Sequence, residues 1–162
     1  MKKITTTLLT MTIIHNVQKN EVLLINRPEK LGFPGYIGAG GKIELTESFS
    51  EGASREIKEE TGLSVRPEDL IYKGVDEFTL LNDNYRYIVF NYLATVYSGE
   101  LLAQPPEGEL KWVSMDKLED VPMQSWFRRR LPYFFQEGTF EISITHEELK
   151  TPPLREKIVK LK

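Results

Sequence analysis

The segment Gly41–Leu63, GKIELTESFSEGASREIKEETGL, constrains this chain more than any other. Ser48 followed by Glu51 is a capping box, which satisfies orphan amides at the start of a helix. Phe49, Ala53 and Ile57 recur at four-residue spacing and form an apolar stripe that must face a core. Gly62 stands where a left-handed residue ends the helix, and Leu63 and Val65 lead into the next packed segment. The spacing predicts a short helix, capped at both ends and anchored along one face. Beside that face Glu56, Glu59 and Glu60 fall within an arc of about 100°. Carboxylates held that close repel one another unless a cation sits among them. Hard oxygen ligands suit Mg²⁺ or Mn²⁺, and rigid anchoring is what such a site requires.

Taken alone, REIKEE is also compatible with a solvated helix face, where Arg55 and Glu59 make an ordinary (i, i+4) ion pair. The wider spacing decides against that reading. Written as G-x5-E-x7-R-E-U-x-E-E-x-G-U, with U a bulky aliphatic, every position is filled: Gly41, Glu47, Arg55, Glu56, Ile57, Glu59, Glu60, Gly62 and Leu63. With seven letters fixed, a chance match is on the order of one in 10⁸ per starting position.

That pattern resembles the signature of the Nudix hydrolases, and GGKIE at Gly40–Glu44 looks like the MutT type, which includes 8-oxo-dGTP diphosphatases. The resemblance is specific over about 25 residues. It implies an α/β/α sandwich, with the acidic helix against a mixed β-sheet. It also implies Mg²⁺- or Mn²⁺-dependent hydrolysis of a nucleoside diphosphate linked to another moiety X. By the same resemblance Glu59 and Glu60 are the main metal ligands, and Glu56 is a further ligand or the base that activates water. Arg55 and Glu47 hold the carboxylates in place, the backbone at Gly40 and Gly41 helps bind metal, Lys42 faces the phosphates, and Gly62 is structural. The chemistry is coherent, because cations neutralise the diphosphate charge that blocks a nucleophile and no covalent enzyme intermediate is needed.

Around the box, Arg27–Gly41 is a glycine-rich loop that allows backbone to approach phosphate closely, with Arg27 at its start as a substrate-binding candidate. QPPEGELK, Gln104–Lys111, precedes the Trp112 strand. In relatives of this type such a loop often adds a glutamate, which makes Glu107 the better candidate metal ligand and Glu109 the alternative. Trp126 is a candidate base-stacking residue and Arg128 a candidate phosphate or ribose contact. Purine-sanitising relatives often carry an asparagine shortly before the glycine pair, but Tyr36-Ile37-Gly38-Ala39 offers no amide. They also carry acids after the tryptophan, where this chain has Phe127-Arg128-Arg129-Arg130. The reaction is therefore better defined than the base.

Composition sets the outer bounds. A chain of 162 residues with 40% hydrophobic content fits one globular domain over 1–162, with the box at 41–63 and a C-terminal extension at 146–162. The absence of cysteine excludes disulfides and thiolate metal sites. A net charge of −3 argues against binding a nucleic-acid polymer. Met1-Lys2-Lys3 before ITTTLLTMTII mimics a signal peptide, but its threonines and β-branched residues suit a strand, and no segment suits a bilayer span. A cytoplasmic monomer or homodimer acting on a nucleotide is expected. Neither histidine, His15 or His146, sits in a catalytic pattern.

Strands are expected at Thr5–Ile14, Glu21–Asn26, Leu70–Leu80, Tyr85–Tyr97, Glu109–Val113 and Phe140–Thr145, with a helix at Ser125–Gln136 interrupted by Pro132. A (deoxy)nucleoside triphosphate cleaved to monophosphate and pyrophosphate, with 8-oxo-dGTP among the candidates, is the leading substrate. ADP-ribose, a nucleotide sugar or a dinucleoside polyphosphate is the alternative. A non-catalytic ligand-sensing module of the same fold is the alternative from another class, although such modules usually lose box acids and none is lost here.

Overall fold

The computed structural model describes residues 2–162. Its strands are β1 (Thr5–Asn16), β2 (Glu21–Arg27), β3 (Gly35–Ile37), β4 (Ala39–Lys42), β5 (Ile71–Leu80), β6 (Tyr85–Ala94), β7 (Glu109–Ser114), β8 (Thr139–His146) and β9 (Arg155–Leu161). The helices are α1 (Phe49–Thr61) and α2 (Ser125–Arg130).

Strict alternation in the first two strands builds two cores, because successive side chains point to opposite faces. Met11 and Ile13 of β1, with Val22 and Leu24 of β2, join Phe127, Leu131 and Phe134 from the α2 region. Ile14, Leu23 and Ile25 instead meet Ile57 of α1, with Leu63 and Val65 beyond it. The sheet is thus filled on both faces and covered by a helix on each, the α/β/α sandwich that the sequence implied.

β1 is the organising strand. It runs parallel to β6 and antiparallel to β2 at its end and to β4 at its middle. The order then continues β6–β5–β8–β9, with β5 and β8 parallel, while β7 covers the outer edge of β2. One register row crosses the centre: Gly40 of β4 opposes Met11, which opposes Asn91 of β6, which opposes Gly74 of β5.

Four features differ from the sequence reading. The glycine-rich segment contains β3 and β4 and is not all loop. A Cβ at Gly40 would lie 2.0 Å from the Thr10 carbonyl oxygen, so glycine is what lets this strand close on β1. The helix after Gln124 ends at Arg130 and tightens into a 3₁₀ turn over Leu131–Phe135, because Pro132 has no N–H for the α-helical ladder. The tail forms β9 against β8. Phe49, expected in the apolar stripe, is 42% exposed and stacks on Phe90 with ring centroids 4.1 Å apart. Ala53 and Ile57 carry the anchoring, both fully buried.

Candidate active site

α1 is fixed at both ends before any side-chain chemistry begins. Ser48 Oγ accepts from the Glu51 N–H at 3.2 Å, and the Glu51 carboxylate accepts from the Ser48 N–H at 2.7 Å. Gly62 closes the helix at φ +86°. Along the polar face, Arg55 is a hub. Its guanidinium donates to both Glu47 oxygens at 2.9 and 2.6 Å, to Glu56 at 3.0 Å, to Glu59 at 3.1 Å and to the Lys42 carbonyl at 2.9 Å. This forked contact, reinforced by the Glu44 N–H, pulls Glu47 down to about 2. Gly52 leaves room for it, since a Cβ there would lie 3.0 Å from Glu47 Oε1.

The acids facing inward behave in the opposite sense. Burial raises the Glu56 carboxyl above its usual range, against the pull of Arg55. Glu60 is only 8% exposed. Burial pushes its carboxyl to about 8; the Gly40 N–H, donating at 3.0 Å, opposes that, while the nearby charges of Glu56 and Glu107 add to it. A Cβ at Gly41 would meet the Glu56 carboxylate at 2.6 Å. The box therefore presents two desolvated carboxyls over a backbone stripped of side chains, a donor set that suits a hard divalent cation. Among the described residues no group of three His, Asp or Glu side chains is already arranged to hold an ion. Water and substrate oxygens would have to complete the shell, as Mg²⁺ commonly allows.

From this corner a cleft of about 600 Å³ crosses the sheet face. Arg27, Gly40, Gly41, Glu60 and Glu107 line one end, and Met11, Ile37, Phe78, Val89 and Trp126 line the apolar remainder. Arg27 Nη1 pairs with Glu107 at 2.9 Å, while its other donors hold the Leu31 and Gly32 carbonyls. Glu107 is thus in the cleft, whereas Glu109 lies exposed on β7 beside a separate depression. Lys42 stands exposed at the end of β4, outside the cleft lining. Arg128 is also outside it, with its guanidinium donating to the Leu118 and Val121 carbonyls.

One pair in the cleft lining was not anticipated. Asp76 of β5 and Arg130 of α2 form an ion pair, 3% and 5% exposed. The signal for it lies in spacing, since Phe127, Arg130, Leu131 and Phe134 fall on one side of a helix and place Arg130 among buried residues. His15 contacts Asn20 and Phe135, and His146, which lines the cleft, contacts Thr151 and Phe78.

A comparison with protein families now decides the lineage: the NUDIX domain matches residues 7–134. The chain belongs to the Nudix family. It is a MutT-like Nudix hydrolase, an enzyme acting on diphosphate bonds. The oxidized purine nucleoside triphosphate hydrolase of Danio rerio is 30% identical over 154 residues, 88% of this chain and 94% of that protein. The uncharacterized Nudix hydrolase YvcI of Bacillus subtilis is 30% identical over 107 residues, and the match spans 64% of this chain and 65% of YvcI, just under two thirds of its length. The MutT protein of Bacillus halodurans superposes with a TM-score of 0.77 over 94% of this Nudix chain and 97% of its own, at 25% identity. No helix among the described residues is long and apolar enough to cross a membrane.

Proposed function

We propose that this Nudix hydrolase cleaves a (deoxy)nucleoside triphosphate to the monophosphate and pyrophosphate in the cytoplasm, and that residues 1–162 act as one domain. One observation carries the reading: a single cleft joins the acidic corner of α1 to a region lined by the aromatic rings of Trp126 and Phe78. The charged end suits polyphosphate with a divalent cation, and the apolar end suits a planar base. Glu59 and Glu60, with Glu107 and the Gly41 backbone, would hold Mg²⁺ or Mn²⁺, which supplies charge neutralisation and alignment of the phosphate oxygens. Glu56, raised by burial, takes the proton from the attacking water. The new P–O bond forms to that water oxygen as the P–O bond bridging the α and β phosphates breaks, which releases monophosphate and pyrophosphate. Arg55 and Glu47 keep the acids in register, and Trp126 receives the base. The zebrafish relative is named for oxidized purine triphosphates, which makes an oxidised purine such as that of 8-oxo-dGTP one candidate base here.

A product screen run with Mg²⁺ in ¹⁸O water tests this. The panel would contain canonical and oxidised nucleoside triphosphates, ADP-ribose, nucleotide sugars and dinucleoside polyphosphates. Monophosphate and pyrophosphate from a triphosphate, with one of them labelled, is the expected result. Turnover confined to the other substrates would overturn the substrate assignment. Nucleotide binding with no turnover, and no loss of binding beyond metal-linked affinity in Glu59→Gln and Glu60→Gln, would point to a sensor instead.

A further inference from the structure

We propose that Arg130 is a positioning residue that fixes Trp126 as the flat wall against which the base of the substrate lies. This deepens the reading above and rests on it. Trp126 and Arg130 are four residues apart on α2 and so share a helix face. The Arg130 guanidinium lies 4.8 Å from the Trp126 ring centroid. Its other side is held by Asp76, which in turn accepts from Asn91 Nδ2 at 2.6 Å. Asn91 also donates to the Gly74 carbonyl at 3.3 Å. A chain of contacts therefore runs from the sheet centre through Asn91, Asp76 and Arg130 to the indole, and Asp76, Arg130 and Trp126 all line the cleft.

Stability does not explain this arrangement well. A buried ion pair is close to neutral against well-packed apolar residues, since desolvation offsets the attraction. Arg130 Nε even lacks a hydrogen-bond partner. What the pair provides is orientation. The guanidinium lies over the indole while Nη2 pairs with Asp76 and Nη1 reaches Met11 Sδ, an arrangement that a compact ammonium cannot reproduce. Trp126 sits in the first turn of a six-residue helix, half-buried against the core, and among the described residues its aromatic neighbour is Phe127, edge-on at 6.0 Å. With the guanidinium gone, the indole can leave its plane along the cleft. The ligand class this wall recognises is a planar heteroaromatic ring joined to a polyphosphate.

The test compares a base-bearing substrate with one lacking a base. The double variant Asp76→Leu/Arg130→Met removes both charges and leaves no orphan. It would be made in a Trp112→Phe background so that Trp126 is the only tryptophan. Circular dichroism and the melting temperature establish folding. The expected result is a KM for the nucleoside triphosphate raised about 10-fold, with kcat little changed. KM for methyl triphosphate should stay constant, and acrylamide should quench Trp126 fluorescence more strongly. Trp126→Ala should raise the same KM, and combining the changes should add little further. Arg130→Lys, which keeps the charge but not the plane, should fall on the side of the double variant and serves if that variant does not fold. A folded variant with unchanged nucleotide KM and unchanged quenching overturns the role of Arg130. A wild-type enzyme that turns over no nucleoside triphosphate instead sinks the proposed function, so the two failures are distinct.

Discussion

Arg55 grips Glu47 through both carboxylate oxygens, at 2.9 and 2.6 Å, and still reaches Glu56 and Glu59 with its remaining nitrogen. Apart from one bond to the Lys42 carbonyl, the arginine of the box is occupied in spacing its acids. Arg55→Ala is expected to lower kcat/KM by about 10- to 100-fold, the usual cost of losing a group that orients metal ligands. Arg55→Lys should recover little, because a point charge cannot fork. Steady-state kinetics at saturating Mg²⁺ decide it, and near-wild-type activity for the lysine variant would show that charge alone suffices.

Glu60 sets a pH dependence with a definite sign. Its carboxyl is raised from 4.5 to about 8, first by burial. The folded protein therefore holds this proton over an interval where the unfolded chain has lost it. Glu60's contribution to stability without metal is full below 4.5 and is lost as pH rises towards about 8. Cation binding has the opposite slope, because the ion needs the carboxylate, so affinity should climb across the same interval with proton release. Calorimetric Mg²⁺ titrations in buffers of different ionisation enthalpy measure that release. Binding with no proton exchanged near neutral pH would refute the assignment of Glu60 as a ligand.

Gly41→Ala places a methyl group 2.6 Å from the Glu56 carboxylate. That contact cannot persist, so the acid must move off its position under Arg55. The fold should survive, while kcat falls by about 10-fold or more and the melting temperature changes little. Equal losses in melting temperature and activity would mean that the glycine serves the β4 backbone and not the site.

Glu107→Gln keeps a possible hydrogen bond to Arg27 but removes a negative charge that acts on Glu60. Weaker Mg²⁺ binding, by about 10-fold, is expected, together with an activity profile shifted to lower pH. Full turnover and unchanged metal affinity would remove Glu107 from the site.

The sequence was most informative where the physics is local. The Ser48–Glu51 box, the left-handed Gly62 and the row of acids depend on neighbours within a few residues, and all are found in α1. The identity of β3 and β4 was hidden because glycine reads as a loop residue, whereas β3 folds back on the neighbouring β2 and β4 reaches past β2 to pair with β1. Arg130 was hidden for a related reason: its partner Asp76 is distant in sequence, and two further arginines disguise the one that turns inward. The tail gained strand structure only because β8 offers it an edge. Phe49 shows the limit of periodicity, which places a residue on the anchoring side of a helix without saying how far the core extends.

The row Gly40–Met11–Asn91–Gly74 has a consequence for substrate choice. One end is tied to Glu60 through the Gly40 amide, and the other meets Asp76, and so Trp126, through Asn91. The two working ends of the cleft are thereby mounted on the same ladder of backbone hydrogen bonds, three strand spacings or about 14 Å from Gly40 to Gly74. A sheet does not stretch by degrees, so the enzyme acts as a calliper of fixed gauge. On the proposed function, molecules whose ring and scissile phosphate span that gauge should be gripped at both jaws, and shorter or longer ones should touch only one.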